Sequence, residues 1–319
     1  MIRGIRAIRK YYTRRGGGDS SRRRWESRRN RRVDGARHRK MKEEMEIADF
    51  LYGKASVLAA LWRKKRTVEK LMIQETMFDE YHDYVENRKN KVTKENRVMF
   101  SSLKRALDTN EDVRIVSKSK MLLNEITGNR PHQGLVMKAS KLELEMISDI
   151  PHSNEKESKV WLALDEVVDP QNLGALLRSS AFLGIEGVLI SSKNSAPLNA
   201  TVSKASSGAL ETMDNVYGVK NLPAMLRRAA EEGGWRVLGA SLSGPVVTNL
   251  RDIPTGIPTV LVLGNEGKGL RTNVLRACTG GLVRIEGGEE SCDGSATHML
   301  DSLNVSVAGG IALHHLINY

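Results

Sequence analysis

Cysteine is scarce in this 319-residue chain, which has only Cys278 and Cys292. Two thiols build neither a disulfide scaffold nor a four-thiolate zinc site. Long apolar runs are missing too. No stretch approaches the ~18 apolar residues that a membrane-spanning helix needs. Neither a membrane anchor nor a metal centre is therefore expected. Hydrophobic residues still form 40% of the chain, enough for real cores. The length suggests about two domains at ~100–200 residues each.

Acidic residues are rare at one end only. Residues 1–40 hold 16 Lys and Arg against Asp19, Glu26 and Asp34. The remainder carries 34 basic and 35 acidic side chains, so the net charge of +12 belongs to this arm. Basic composition therefore says little about nucleic-acid binding by the folded body. Met1–Arg15, MIRGIRAIRKYYTRR, has no acid, and Arg3, Arg6 and Arg9 recur beside Ile2, Ile5 and Ile8. As a helix this sets a basic stripe beside an apolar one, the pattern of a mitochondrial transit peptide. The long apolar segment of a secretory signal is absent. The competing reading is a basic tail that touches RNA non-specifically and leaves the protein in the cytosol or nucleolus. Residues 16–40, with Gly16-Gly17-Gly18, are expected to be disordered.

Helix and strand signals alternate through 41–149, which favours a small α/β domain. Lys54–Arg66 reads as a helix with Val57, Leu58, Leu61 and Trp62 on one face. VEKLMIQ, VRIVSK and GLVMKAS read as strands, and KMLLNEITG as a helix closed by Gly128. His82 and His132 lack metal-ligand spacing and read as surface or loop residues. The run Arg63-Lys64-Lys65-Arg66 is either a phosphate grip or a solvated helix end. Residues 150–159, polar and with a Pro, read as a linker.

From 160 to 319 continuous apolar strands (VWLALDEV, GVLIS, WRVLGAS, PTVLVLG) alternate with helices. That pattern argues for a mostly parallel sheet covered on both faces. Ligands bind such sheets at the carboxyl ends of the strands. Three loops stand out there. Asp169-Pro170-Gln171-Asn172-Leu173-Gly174 leads to Arg178. Asn172 is favoured as a helix N-cap. It and Arg178 lie about 600° apart if both are helical, so they converge only if Asn172 precedes the helix. Leu263-Gly264-Asn265-Glu266-Gly267-Lys268-Gly269-Leu270 follows the most apolar strand, and its glycines let backbone approach a ligand. It fits neither the Walker A pattern nor GxGxxG, which disfavours a nucleotide hydride enzyme. Ser302-Leu303-Asn304-Val305-Ser306 opens the last helix, with Ser302 as a candidate cap. Gly309 and Gly310 inside that helix cost ~1 kcal/mol each against Ala, and close packing of another backbone is the expected reason.

DPQNLGALLRSSAFLG, LVLGNEGKGLR and SLNVSVAGGIALHHL, in this order, resemble the three motifs of the SpoU/TrmH-type 2′-O-ribose methyltransferases of the SPOUT class. The resemblance spans about 160–319. More loosely, LYGKASVLAALWRKKRTVEKLMI and HQGLVMKAS resemble the L30e-like substrate-binding domain of the same enzymes. With the transit-like arm, the chain most resembles the mitochondrial rRNA methyltransferase 1 group.

The resemblance implies an α/β fold with a deep trefoil knot, a homodimer with its site near the subunit interface, and a mitochondrial matrix location. It implies transfer of a methyl group from S-adenosylmethionine to a guanosine ribose 2′-hydroxyl in large-subunit rRNA, with no metal. Asn172, Arg178, Glu266, Ser302 and Asn304 match the polar set of that site. Gly264, Ile285 and Leu303 match the cofactor-holding positions. Arginine is often given the role of general base in this family. A guanidinium is charged in proteins under nearly all conditions, so stabilising the alkoxide or gripping phosphate suits Arg178 better. One departure is the loop after Ile285, EGGEESCDGSATHMLDS, which is longer than the family's and acidic, odd beside RNA. It is expected to serve as a lid or a docking loop. The rival readings are a tRNA ribose methyltransferase and a non-catalytic rRNA-binding assembly factor.

Overall fold

The computed structural model describes residues 43–86, 92–110, 112–153, 159–242, 247–287 and 302–318. The transit-like arm and nearly all of the acidic loop lie outside the described residues. The chain divides into two units, Met1–Ile47 and Ala48–Tyr319, and both sheets lie in the second.

The smaller sheet is built from β1 (Ala48–Tyr52), β2 (Val68–Gln74), β3 (Arg114–Lys118) and β4 (Leu135–Ser140) in the order β1-β4-β2-β3. β4 is antiparallel to both neighbours, whereas β2 and β3 are parallel. Around it run α1 (Lys54–Arg63), α2 (Glu75–Val85), α3 (Lys94–Asp108) and α4 (Lys120–Thr127). Leu61 of α1 and Phe100 and Leu103 of α3 pack on Leu71, Ile73, Leu135 and Met137 of the strands. Ser119 caps α4, and Gly128 closes it in the left-handed conformation at φ 61°, as the sequence predicts.

The larger sheet has eight strands among the described residues, all parallel. Its strands are β5 (Glu145–Met146), β6 (Val160–Leu164), β7 (Gly187–Ser191), β8 (Val216–Val219), β9 (Arg236–Ala240), β10 (Val247–Asn249), β11 (Thr259–Leu263) and β12 (Leu282–Arg284). Their order is β10-β12-β9-β11-β6-β7-β8-β5. The chain passes from one sheet to the other at 141–144, ahead of the 150–159 segment read as a linker. The two-residue β5 and the three-residue β10 are too short to show a period in the sequence.

Alternation along the central strands fills both faces. Val160, Leu162, Leu164, Leu261 and Leu263 point to one side. There they meet α5 (Pro170–Leu183), α6 (Ala200–Ala205), α7 (Ala209–Thr212) and α10 (Val305–Asn318). Trp161, Ala163, Val260 and Val262 point to the other, against α8 (Leu222–Glu231) and α9 (Thr272–Leu275). Successive strand side chains face opposite ways, so a strand covered on both sides must be apolar throughout.

Two cap expectations are corrected. The N-cap of α5 is Asp169, whose side chain accepts from Gln171 N at 2.9 Å, with Pro170 in the first turn. Asn172 thus lies inside the helix. At α10, Asn304 rather than Ser302 accepts from Ser306 N, at 2.9 Å. Close packing holds at Gly309, against side chains instead of backbone, but not at Gly310, where a Cβ would meet only Ser179 Oγ at 3.7 Å. A Cβ on Gly309 would sit 2.5 Å from Leu176 Cδ2 and 2.7 Å from Leu263 Cδ1. The expected knot turns on the path between β12 and α10, and residues 288–301 of that path lie outside the described residues.

Candidate active site

Parallel strands present all their carboxyl ends on one edge, and the three singled-out loops meet there. β6 leads into α5, β11 into the Gly264–Leu270 loop, and 302–304 into α10. One chain of side-chain hydrogen bonds joins them. Asn172 Nδ2 donates to Glu266 Oε1 at 3.1 Å. Asn304 Nδ2 donates to Asn172 Oδ1 at 3.0 Å. Asn304 Oδ1 in turn accepts from Ser306 Oγ at 2.6 Å. The backbone N–H of Asp169 also reaches Glu266 Oε1, at 3.4 Å. Asn172 is buried while Glu266 and Asn304 stay exposed, so the chain runs from the sheet edge outward. An amide in the middle donates one way and accepts the other, which fixes the rotamers of both neighbours.

The loop bearing Glu266 is closed on itself. Asn265 and Gly269 exchange backbone bonds of 3.0 and 2.9 Å. Asn265 Oδ1 accepts from Gly267 N and Lys268 N, and its Nδ2 donates to Glu166 O at 3.0 Å. Gly264 is required here: a Cβ would lie 2.4 Å from the Gly269 carbonyl carbon.

Beneath the loop is an ion pair that nothing in the motif spacing announces. Asp165, fully buried, accepts from Arg271 N at 3.0 Å and Nε at 2.8 Å. Arg271 Nη1 extends to Glu166 Oε1 at 3.2 Å, which also accepts from Asn194 Nδ2. Glu166 adopts φ 59°, a left-handed value uncommon outside glycine. The one available signal was an acid directly after an apolar strand, since a buried charge needs a partner.

Not every candidate joins the cluster. Asn172 and Arg178 are both helical, hence about 240° apart around α5. Arg178 is exposed and makes no hydrogen bond or ion pair with the described residues. The side chain of Ser302, also exposed, has no hydrogen-bond partner among the described residues.

The cofactor candidates lie on the same edge. Gly264 follows β11 and Ile285 follows β12, while β9 between them leads to Leu242. Leu242, just past β9, is 52% exposed and Leu303, just before α10, 48%. Leu242 carries no motif, and only the strand order brings it here.

Fold and site together define a parallel-sheet enzyme whose polar groups come from three loops at one sheet edge. Comparison with known proteins gives the family. The SpoU rRNA Methylase family profile matches residues 159–314, and the profile for RNA 2′-O ribose methyltransferase substrate binding matches 50–145. The mitochondrial rRNA methyltransferase 1 of Schizosaccharomyces pombe is 35% identical over 309 residues, 86% of this chain and 91% of that protein. The 23S rRNA (guanosine-2′-O-)-methyltransferase RlmB of Neisseria meningitidis is 32% identical over 265 residues, 82% of this chain and 92% of the relative. The crystal structure of the SpoU methyltransferase AviRb from Streptomyces viridochromogenes, with the cofactor AdoMet, superposes with TM-score 0.60 at 18% identity. It covers 86% of this chain and 90% of that one. This chain belongs to the SpoU rRNA methylase family.

Proposed function

We propose that this protein transfers a methyl group from S-adenosylmethionine to the 2′-hydroxyl of a guanosine ribose in the large-subunit rRNA of mitochondria. The carrying observation is the Glu266–Asn172–Asn304 chain, which gathers all three family motifs at one sheet edge. The mitochondrial and guanosine-2′-O names of the relatives support the compartment and the base. Residues 41–149 serve as the RNA-binding half and 160–319 as the methyltransferase half, working in the matrix.

When bound, the cofactor supplies an electrophilic sulfonium methyl, so the protein's tasks are alignment and charge management. Gly264, Ile285 and Leu303 hold it. Glu266 fixes the Asn172 amide, Asn172 fixes Asn304, and Asn304 with Ser302 orients the ribose. Arg178 grips the adjacent phosphate or stabilises the developing alkoxide. It faces away from the cluster of its own chain, so we assign it to the site of a second copy in a homodimer. Phe182 of α5, 89% exposed, and Val307 and Ile311 of α10 support that surface, because large apolar side chains left in water mark an interface.

Ribose-methylation mapping tests the activity in cells with wild-type protein, with none, or with Arg178→Ala. One mark missing from mitochondrial large-subunit rRNA in both deficient lines is expected. Assembly failing only in the null line would instead favour a non-catalytic binding role, and a mark lost from tRNA would change the substrate. Mixing Arg178→Ala with Glu266→Ala protomers tests the shared site. One active site per mixed dimer should regain activity that neither variant has alone, and no regain would place Arg178 elsewhere.

A further inference from the structure

In the basic run Arg63-Lys64-Lys65-Arg66, Arg63 and Lys64 are exposed, as at a solvated helix end, whereas Arg66 is buried. Arg66 has a fully buried side chain and ion-pairs with Glu211, also fully buried, at 2.9 Å and with Asp49 at 2.7 Å. It donates to Ser140 O at 2.9 Å and reaches toward Leu198 O at 3.5 Å. Arg63 and Lys65 pair with Asp214, Lys65 also donates to Met213 O, and Lys64 donates to Thr109 O at 2.6 Å. Two further bonds cross the same seam, Arg130 Nη1 to Thr201 Oγ1 at 2.6 Å and Lys204 Nζ to Gln133 Oε1 at 2.8 Å. At Gly208 a Cβ would sit 2.7 Å from Ala59 Cβ, so α1 rides directly on the turn before α7.

Every partner on the large-sheet side of these bonds comes from 198–214. That stretch is backed by α5: a Cβ on Gly174 would lie 2.4 Å from Ala205 Cβ and 2.9 Å from Val202 O. Gly174 is two residues from Asn172. The seam and the site therefore share one close-packed layer, and close-packed interiors have low compressibility and transmit strain.

We propose that Arg66 is a positioning residue for methyl transfer. With Glu211 and Asp49 it locks the substrate-binding half onto the methyltransferase half, so that RNA gripped by one meets the site of the other at a fixed reach. This rests on the activity proposed above. A locked pair of sites converts the second contact into an intramolecular one, an advantage only for RNA long enough to touch both halves.

The test compares a short stem-loop carrying the methylated ribose with a long rRNA fragment that spans both halves. Arg66→Met/Glu211→Met replaces the two fully buried ions by apolar groups and leaves only Asp49, 12% exposed, without its arginine. Asp214→Arg loosens the exposed rim by repelling Arg63 and Lys65 without hollowing the interior. The wild-type preference in kcat/KM for the long fragment should fall ~10–100-fold in the double variant and less in Asp214→Arg. S-adenosylmethionine binding and the short-substrate rate should stay at wild-type values. An unchanged preference, or an equal loss on both RNAs, overturns the lock. If the wild-type protein methylates neither RNA, the activity reading fails, and the lock is judged on geometry alone. For that, spin labels at Lys94→Cys and Lys220→Cys, both exposed, are measured in a Cys292→Ser background. A broadened distance distribution in the double variant supports the lock, and one as narrow as wild type overturns it.

Discussion

At Asn172 a single amide does two jobs, donating to Glu266 and accepting from Asn304. Asn172→Asp keeps the shape and removes the donor, setting two carboxylates about 3 Å apart. The missing proton must then come from solvent, so activity should be low at neutral pH and partly regained as the pH falls. A pH–rate profile with the wild-type shape would show that this bond does not matter. Asp165 supports the same loop from below. Asp165→Asn loses charge-assisted bonds of the kind worth about 1.5–3 kcal/mol. The expected outcome is a lower Tm with a lower kcat, because the Glu266 loop is re-aimed; a lower Tm with kcat unchanged would confine Asp165 to stability. Burial and the neighbouring Asp165 push the Cys278 thiol up to about 12. Almost no thiolate exists there near pH 8, so maleimide should label Cys278 only after unfolding in a Cys292→Ser protein. Native labelling at the rate of a free thiol would contradict this.

Among the elements, α5 has the most demanding sequence. Its N-terminus supplies Asn172, its buried stripe packs on the sheet, and Gly174 admits α6 at backbone distance. Gly174→Ala would force Ala205 or the backbone of α6 to move, an overpacking cost of about 1–3 kcal/mol. Thermal unfolding should register it, and an unchanged Tm would mean that α6 yields freely. Most long elements were legible beforehand. Apolar density found β6, β7, β9 and β11, and Gly128 closed α4 where expected. The caps of α5 and α10 were not. Asp169, Asn172, Ser302, Asn304 and Ser306 all have side chains that cap well, and only the three-dimensional path selects among them.

For the whole molecule, the homodimer proposed above would cover the exposed apolar residues on α5 and α10 and take Arg178 into the partner's site. Phe182→Asp/Ile311→Asp should shift the protein to monomer in analytical ultracentrifugation and abolish rRNA methylation while each chain remains folded. An active monomer would remove the need for a partner's Arg178. The basic run at 63–66 shows the limits of reading charge by composition: the same residue types suit phosphate, water or an internal seam, and only burial separates Arg66 from the exposed Arg63 and Lys64.

The sequence by itself determined the alternation of strands and helices, the parallel sheet and the three polar loops. Each is written in local spacing, glycine placement or apolar density. The tertiary structure decided which of those polar residues meet. Asn172 reaches Glu266 94 residues away and Asn304 132 residues away, and Arg66 reaches Glu211 across 145. No local pattern encodes such pairings, because strand order and helix packing bring these groups together only after the core has formed.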